Sequence, residues 1–421
     1  MRKKDIKRIN DNTYFYKDDS GVSLYLDISF IFDTTRINDI KSEILVRYLT
    51  MINSVYKTRK EIDDKSKELY SLSFSPGWRN YNEKSVMFFS CRFIDPKAVK
   101  DDYMKDAIDF ISNMFLKPAF KDNKLDKDKF TTIKKDIYNE YINMVKDLGY
   151  DSNRKYKKCI LKESVSNILS YDTKEELERD LNSLTDKDII DFYNELLKNH
   201  YKTFFFGNYS KKDIDYILKL FNFNNEKNYI INTKQRFDLK KEYNEYISKE
   251  YSQSILTVTY KIKDTDKYSK DYYASIISNI FNSLNGILHK ILREKYGLVY
   301  SSGAYIPRES NVFCIEANID KKNKDKTIEA IHEVINMLHD RKFVEERLNY
   351  AKGKIKESIY LSNESPRNIY GKAFDLVFDS NALTDIGRIR IINKITTKDI
   401  LEFFDSLENE NIFFYVGDRD E

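Results

Sequence analysis

Residues 22–32, VSLYLDISFIF, alternate apolar and polar side chains at the two-residue period of a strand with one buried face. A hairpin-like stretch follows at 70–95. Between them 38–70 reads as helix, with Ile40, Ile44, Leu45, Tyr48 and Leu49 recurring at helical spacing. From 98 to 116 the residues Val99, Met104, Ala107, Ile108, Ile111, Met114 and Phe115 keep a 3.6-residue rhythm that Pro118 stops. Two more helical stretches fall within 126–170. A further helix is predicted over 185–199, with Thr185 as its cap.

The order of elements then repeats. LTDKDIIDFYNELLKNHYKTFFFGN at 184–208 recurs as ITTKDILEFFDSLENENIFFYVGD at 395–418, pairing Thr185 with Thr396, Asp188 with Asp399, Phe192 with Phe403 and Gly207 with Gly417. Upstream, the hairpin and helix of 70–115 match 300–338, where ISNMF answers VINML. Two copies of one α+β unit are therefore expected, each a mainly antiparallel sheet flanked by helices. The polar stretch 223–248 lies between them as a linker, dividing the chain into domains at 1–222 and 249–421.

Composition narrows the function classes. At 421 residues, with 41% hydrophobic and 14% aromatic content, the chain has enough apolar mass for two cores. Lys and Arg number 72 against 68 Asp and Glu, and the charges are interleaved, so no nucleic-acid partner is implied; KKNKDK at 321–326 reads as a solvated turn. Cys91, Cys159 and Cys314 are far apart with no CxxC pair, and read as buried thiols in a reducing compartment. The amino terminus lacks an apolar core of signal-peptide length and no stretch has the run of a membrane span, so a cytoplasmic location is expected.

Candidate chemistry is sparse. The four histidines, His200, His289, His332 and His339, all lie beyond residue 199. His332–Glu333 opens an HE pair, but a zincin needs histidine where Asn336 stands; His339 is two turns on and could share its face. There is no GxSxG elbow, P-loop or GxGxxG. What remains is Arg293, near the end of a helix carrying Ile280, Phe281, Leu284, Ile287, Leu288 and Ile291, and Tyr300, which follows the Gly297 turn at the start of a strand. A guanidinium and a phenol on regular structure are good donors to a carbonyl oxygen or its developing oxyanion. On spacing alone a snorkelling arginine and a core tyrosine outweigh that reading.

The run LREKYGLVYSSGAYI resembles the carboxy-terminal half of the pitrilysin/insulinase family of zinc peptidases, whose internal duplication matches the repeat above. SQSILTVTY at 252–260, the helix 185–199 with its strand, and 114–150 are also similar. The resemblance implies an insulinase-like duplicated fold and gives Arg293 and Tyr300 the family's contacts to the scissile carbonyl. Its HxxEH zinc motif belongs near SEILVRYLT at 42–50, where Glu43, Val46 and Arg47 are the nearest counterparts; a third ligand would fall near Glu140, which reads as a helix-surface carboxylate. With the zinc ligands lost and the Arg/Tyr pair kept, the resemblance implies the non-catalytic subunit of a heterodimeric metallopeptidase. No cofactor is expected in this chain, zinc is expected in an HxxEH-bearing homologous partner, and the substrate is a peptide. The alternative it leaves open is a non-enzymatic scaffold.

Overall fold

The computed structural model describes residues 5–223, 231, 235–263, 271–283, 286–307, 310–379 and 382–419. Among these, the strands form two sheets. The first contains Ile6–Arg8 (β1), Thr13–Tyr16 (β2), Ser23–Asp33 (β3), Ser73–Asn80 (β4), Lys84–Ile94 (β5) and Tyr201–Phe206 (β6), in the order β1-β2-β6-β3-β5-β4. The second contains Glu242–Ser248 (β7), Ser254–Ile262 (β8), Val299–Tyr305 (β9), Val312–Ile319 (β10) and Leu407–Gly417 (β11), in the order β7-β11-β8-β10-β9. Each sheet is antiparallel apart from one pair, β2 beside β6 and β7 beside β11. Once β1 is set aside the two orders correspond strand for strand. The fold is α+β, with two mixed sheets flanked by helices, as the repeat predicts.

Local chemistry explains why the copies look alike. Thr185 and Thr396 each begin a helix, Asp186–Leu196 and Thr397–Asp405, and each forms a reciprocal capping box with the aspartate three residues on, Asp188 or Asp399. Both helices lead into the inner strands β6 and β11, which end on the matched glycines Gly207 and Gly417. A Cβ on Gly207 would meet the Ser23 carbonyl at 2.9 Å, and one on Gly417 the Gln253 carbonyl at 2.1 Å. Only glycine lets these strand ends pass so close to the start of the neighbouring strand.

Three sequence expectations change in detail. β3 is buried from Leu24 to Phe32 and not on alternate residues, because the first sheet is covered on both faces. The 38–70 helix is two helices, Arg36–Met51 and Arg59–Glu68, with a second N-cap at Thr58 that accepts from the Glu61 amide. The 223–248 stretch holds the edge strand β7. Leu284 lies outside the described residues.

The chain forms two compact units that exchange a segment in each direction. One comprises Met1–Asn143, Leu169–Asn232 and Asn363–Thr384; the other Met144–Ile168, Thr233–Ser362 and Asp385–Glu421. Helix Pro366–Phe378, from late in the chain, thus packs Ala373 and Val377 on the first sheet's Tyr25, Phe204 and Phe206. Helix Leu148–Cys159, from early in the chain, packs Tyr156 on Ile255, Val312, Phe413 and Tyr415 of the second. Burial of aromatic and aliphatic surface on both sheets is the dominant stabilising term for each unit.

Candidate carbonyl-binding site

Arg293 and Tyr300 come together in the second unit. Helix Asp271–Asn282 gives way to a π-helical segment, His289–Lys295, that carries Arg293. Its wide turn ends at Gly297, whose φ is +62°. There the Gly297 amide donates to the Arg293 carbonyl at 3.0 Å and the Leu298 amide to the Leu292 carbonyl at 2.8 Å. Leu292 is fully buried while Arg293 stands exposed, so the same turn that anchors the segment turns the guanidinium outward. β9 then opens at Val299, and Tyr300 is 50% exposed. Tyr300 is not the core side chain that spacing favours.

The two side chains are held by specific partners. A guanidinium nitrogen of Arg293 donates to the Tyr300 backbone carbonyl, and the Tyr300 hydroxyl donates to Asp320 at 2.8 Å. Beside them Lys295 and the Tyr296 hydroxyl each reach Glu333 at 2.7 Å, and together hold its carboxyl below the usual range. A guanidinium has five N–H donors, so one bond to a main-chain carbonyl leaves the fork able to take a further acceptor. Asp320 and Glu333 were not legible as site residues, because acidic side chains are abundant and only the turn after β10 brings Asp320 to Tyr300.

The edge of β9 is also occupied. Asn282, at the end of the preceding helix, accepts from the Ala304 amide at 2.7 Å and donates to the Ala304 carbonyl at 2.8 Å. With Arg293 on Tyr300, side chains satisfy outward-pointing backbone groups at both ends of the strand. Such capping blunts an edge that would otherwise pair with another chain.

The first helix is where the family resemblance implies zinc, and the residues there do not fit it. Arg47 lies between two carboxylates: it reaches Glu43 at 2.6 Å, one turn away on helix Arg36–Met51, and Glu140 on helix Lys127–Met144 through two nitrogens at 2.8 and 2.6 Å. Glu140 is thus not a bare helix-surface carboxylate. The pairing draws the Glu140 pKa below the usual range, while burial pushes that of Glu43 up despite the same guanidinium. Val46, where the resemblance implies the motif's glutamate, has no group that could move a proton. A cation already sits where two acidic ligands converge.

Other candidates stay apart. His332 bonds Glu410 at 2.6 Å and His339 pairs with Asp405 at 3.2 Å, so the two histidines serve different carboxylates. Among the described residues no group of three or more His, Cys, Asp or Glu side chains is placed to hold a metal ion. Cys91 and Cys314 are buried and Cys159 is half-buried; all three are free thiols. Among the described residues no helix is long and apolar enough to cross a membrane.

Comparison with known proteins shows what this arrangement is similar to. No curated protein matches the sequence. Among solved structures, a conserved protein from Enterococcus faecalis V583 aligns at a TM-score of 0.83 over 97% of this chain and 97% of that chain, with 18% identity. A peptidase M16 inactive domain from Pseudomonas fluorescens aligns at 0.71 over 97% of each chain with 15% identity. A protease from Helicobacter pylori aligns at 0.71 over 96% of this chain and 97% of that one, with 12% identity. Residues 183–355, which include Arg293 and Tyr300, match the family described as Peptidase M16 inactive domain. Residues 183–355 thus match the model of that family, and the chain as a whole shares the fold of a solved peptidase M16 inactive domain.

Proposed function

We propose that this chain is the zinc-free subunit of a cytoplasmic heterodimeric metallopeptidase, inactive alone, in which Arg293 and Tyr300 bind the scissile carbonyl of a peptide held at the zinc site of an HxxEH-bearing homologue. The observation that carries the reading is the exposed, anchored Arg293–Tyr300 pair on a chain whose own counterpart of the metal position is filled by Arg47. In the assembled enzyme the partner's zinc would polarise the carbonyl and activate water. Arg293 would turn part of its fork, and Tyr300 its hydroxyl on release from Asp320, toward the oxygen on which negative charge develops. Such donors help most where charge appears only in the transition state. A π-helical turn at the carrier of one donor also fits the reading, since such turns recur at functional sites.

A second reading, a scaffold subunit without catalytic contacts, is favoured by one observation: both side chains already have internal partners, the Tyr300 carbonyl and Asp320. The two readings separate in the complex with an encoded HxxEH homologue. Arg293→Ala and Tyr300→Phe are expected to lower turnover of a fixed peptide by roughly 10- to 1,000-fold. Assembly should survive, and exposed Lys290→Ala on the same segment should leave turnover near wild type. Unchanged turnover in both variants with the dimer intact establishes the scaffold.

A further inference from the structure

Among the described residues the internal duplication has one place without a counterpart strand. In the first sheet β2 runs parallel to β6, and its other edge is covered by β1, antiparallel, with Ile6 opposite Tyr16, Lys7 opposite Phe15 and Arg8 opposite Tyr14. In the second sheet β7 runs parallel to β11 in the same way, yet β7 is itself the edge, and among the described residues no strand takes the place of β1.

The matched glycines fix the correspondence residue by residue. Gly207 answers Gly417, so Phe204, Phe205 and Phe206 answer Phe414, Tyr415 and Val416. Through the two parallel registers, Tyr14, Phe15 and Tyr16 answer Glu245, Tyr246 and Ile247. The three residues that β1 covers on one sheet are thus the three left open on the other. Beside the charged Glu245 this edge presents exposed apolar side chains: Ile247 is 58% exposed, Tyr246 37%, and neighbouring Tyr243 48%. Edge strands of soluble proteins are normally short, charged, capped or covered. β9, on the far side of the same sheet, is capped by Asn282 and Arg293, whereas β7 carries exposed tyrosines and isoleucine.

We infer that β7 is a docking edge for an extended segment of a partner polypeptide, added antiparallel as β1 is added to β2, with the pattern apolar–x–basic. Main-chain bonds along the edge supply affinity and the side-chain pattern supplies selectivity. Carried over to β7, the register of β1 sets an apolar residue opposite Ile247 and a basic residue opposite Glu245, which are complementary cross-strand pairs. Glu245 is exposed and, among the described residues, its carboxylate accepts from the neighbouring Tyr243 hydroxyl, so it is accessible to a guanidinium. Self-pairing of two β7 strands centred on Glu245 would set like charges opposite each other, which disfavours a second copy as the occupant. This inference rests on the sheet edge alone and is independent of the peptidase reading.

The probe is a fluorescent synthetic peptide with the chain's own β1 sequence, KKDIKRIN (residues 3–10), titrated into the full-length chain and followed by anisotropy. Saturable binding is expected, with slower amide exchange confined to 242–248. Glu245→Lys should weaken it about tenfold or more, and a peptide with Glu in place of its Arg should recover binding to that variant. Equal binding to the wild type and Glu245→Lys, or no binding at millimolar peptide, overturns the inference. So does a concentration-dependent dimer of the peptide-free chain that Ile247→Lys abolishes, since the occupant is then a second copy.

Discussion

The two exchanged helices are fastened to their sheets by the same pair of residue types, yet the two fastenings carry different charge. On the first sheet, Tyr370 of helix Pro366–Phe378 donates at 2.6 Å to Asp27 in the middle of β3, and Ser90 on β5 donates to the same carboxyl. On the second, the roles are reversed: Tyr415 on β11 donates at 2.7 Å to Asp151 on helix Leu148–Cys159. Asp151 also has a cation, Arg154, at 2.5 Å. Asp27 is completely buried with no basic group paired to it among the described residues, and burial pushes its pKa up to about 7 in spite of the Ser90 and Tyr370 donors. A neutral hydrogen-bonded acid is tolerated in an apolar sandwich where a bare carboxylate is not. One clamp is therefore an ion pair with a phenol attached, and the other is a titrating acid with two hydroxyls.

Replacing each aspartate by asparagine separates the two most sharply. Asp151→Asn leaves the largely buried Arg154 guanidinium short of its carboxylate, and a loss of about 3 kcal/mol is expected. Asp27→Asn mimics the protonated acid, so at pH 5 it should cost no more than about 1 kcal/mol. Urea unfolding of the full chain measures both. Similar losses at the two positions at pH 5 would show that the clamps are equivalent and that burial, not the cation, sets their strength.

The same contrast has a pH signature. The folded chain keeps the Asp27 proton to about pH 7, whereas the unfolded chain releases it near 3.8. Between those values folding takes up a proton, so stability falls as pH rises through the window and is level on either side of it. The full span of roughly 3 units corresponds to about 4 kcal/mol. Asp27→Asn removes this dependence and, with at most about 1 kcal/mol to make up at pH 5, should overtake the wild type by about pH 6. The difference between the two unfolding free energies, followed from pH 4 to pH 8, checks it; a wild type that stays ahead across the whole range contradicts a protonated Asp27.

The comparison also shows what a sequence can reveal. Thr185 with Asp188 and Thr396 with Asp399 were legible because a capping box is written within four residues, and the matched glycines because a close backbone approach admits no other residue. The exchange of helices was not legible. Their amphipathic patterns say that each covers a sheet, and nothing local says which sheet. Arg293 and Tyr300 were found through a turn signal and a family resemblance, while their partners, Asn282 on the β9 edge and Asp320 on the Tyr300 hydroxyl, depend on contacts across 20 residues or more. Arg47 was noted as a lost ligand; that it pairs with Glu140, 93 residues away, follows only from the packing of two helices.

The smallest expected effect comes from removing one hydroxyl from each clamp. Tyr415→Phe takes a donor from Asp151, but Arg154 still holds that carboxylate, so the loss should be about 1 kcal/mol. Tyr370→Phe takes a donor from Asp27, where the hydrogen bond favours the ionised form and burial opposes it. Its consequence is less a loss of stability than a shift of the titration: with one donor gone, the carboxyl should hold its proton to a higher pH, and the falling limb of the stability curve should extend above pH 7. Because the loss at pH 5 is small, the measurement is the upper end of the limb rather than the unfolding free energy at one pH. An upper end that stays near pH 7 in Tyr370→Phe would mean that Ser90 alone sets the acidity of Asp27, and that the helix clamps the sheet by packing Ala373 and Val377 rather than through its tyrosine.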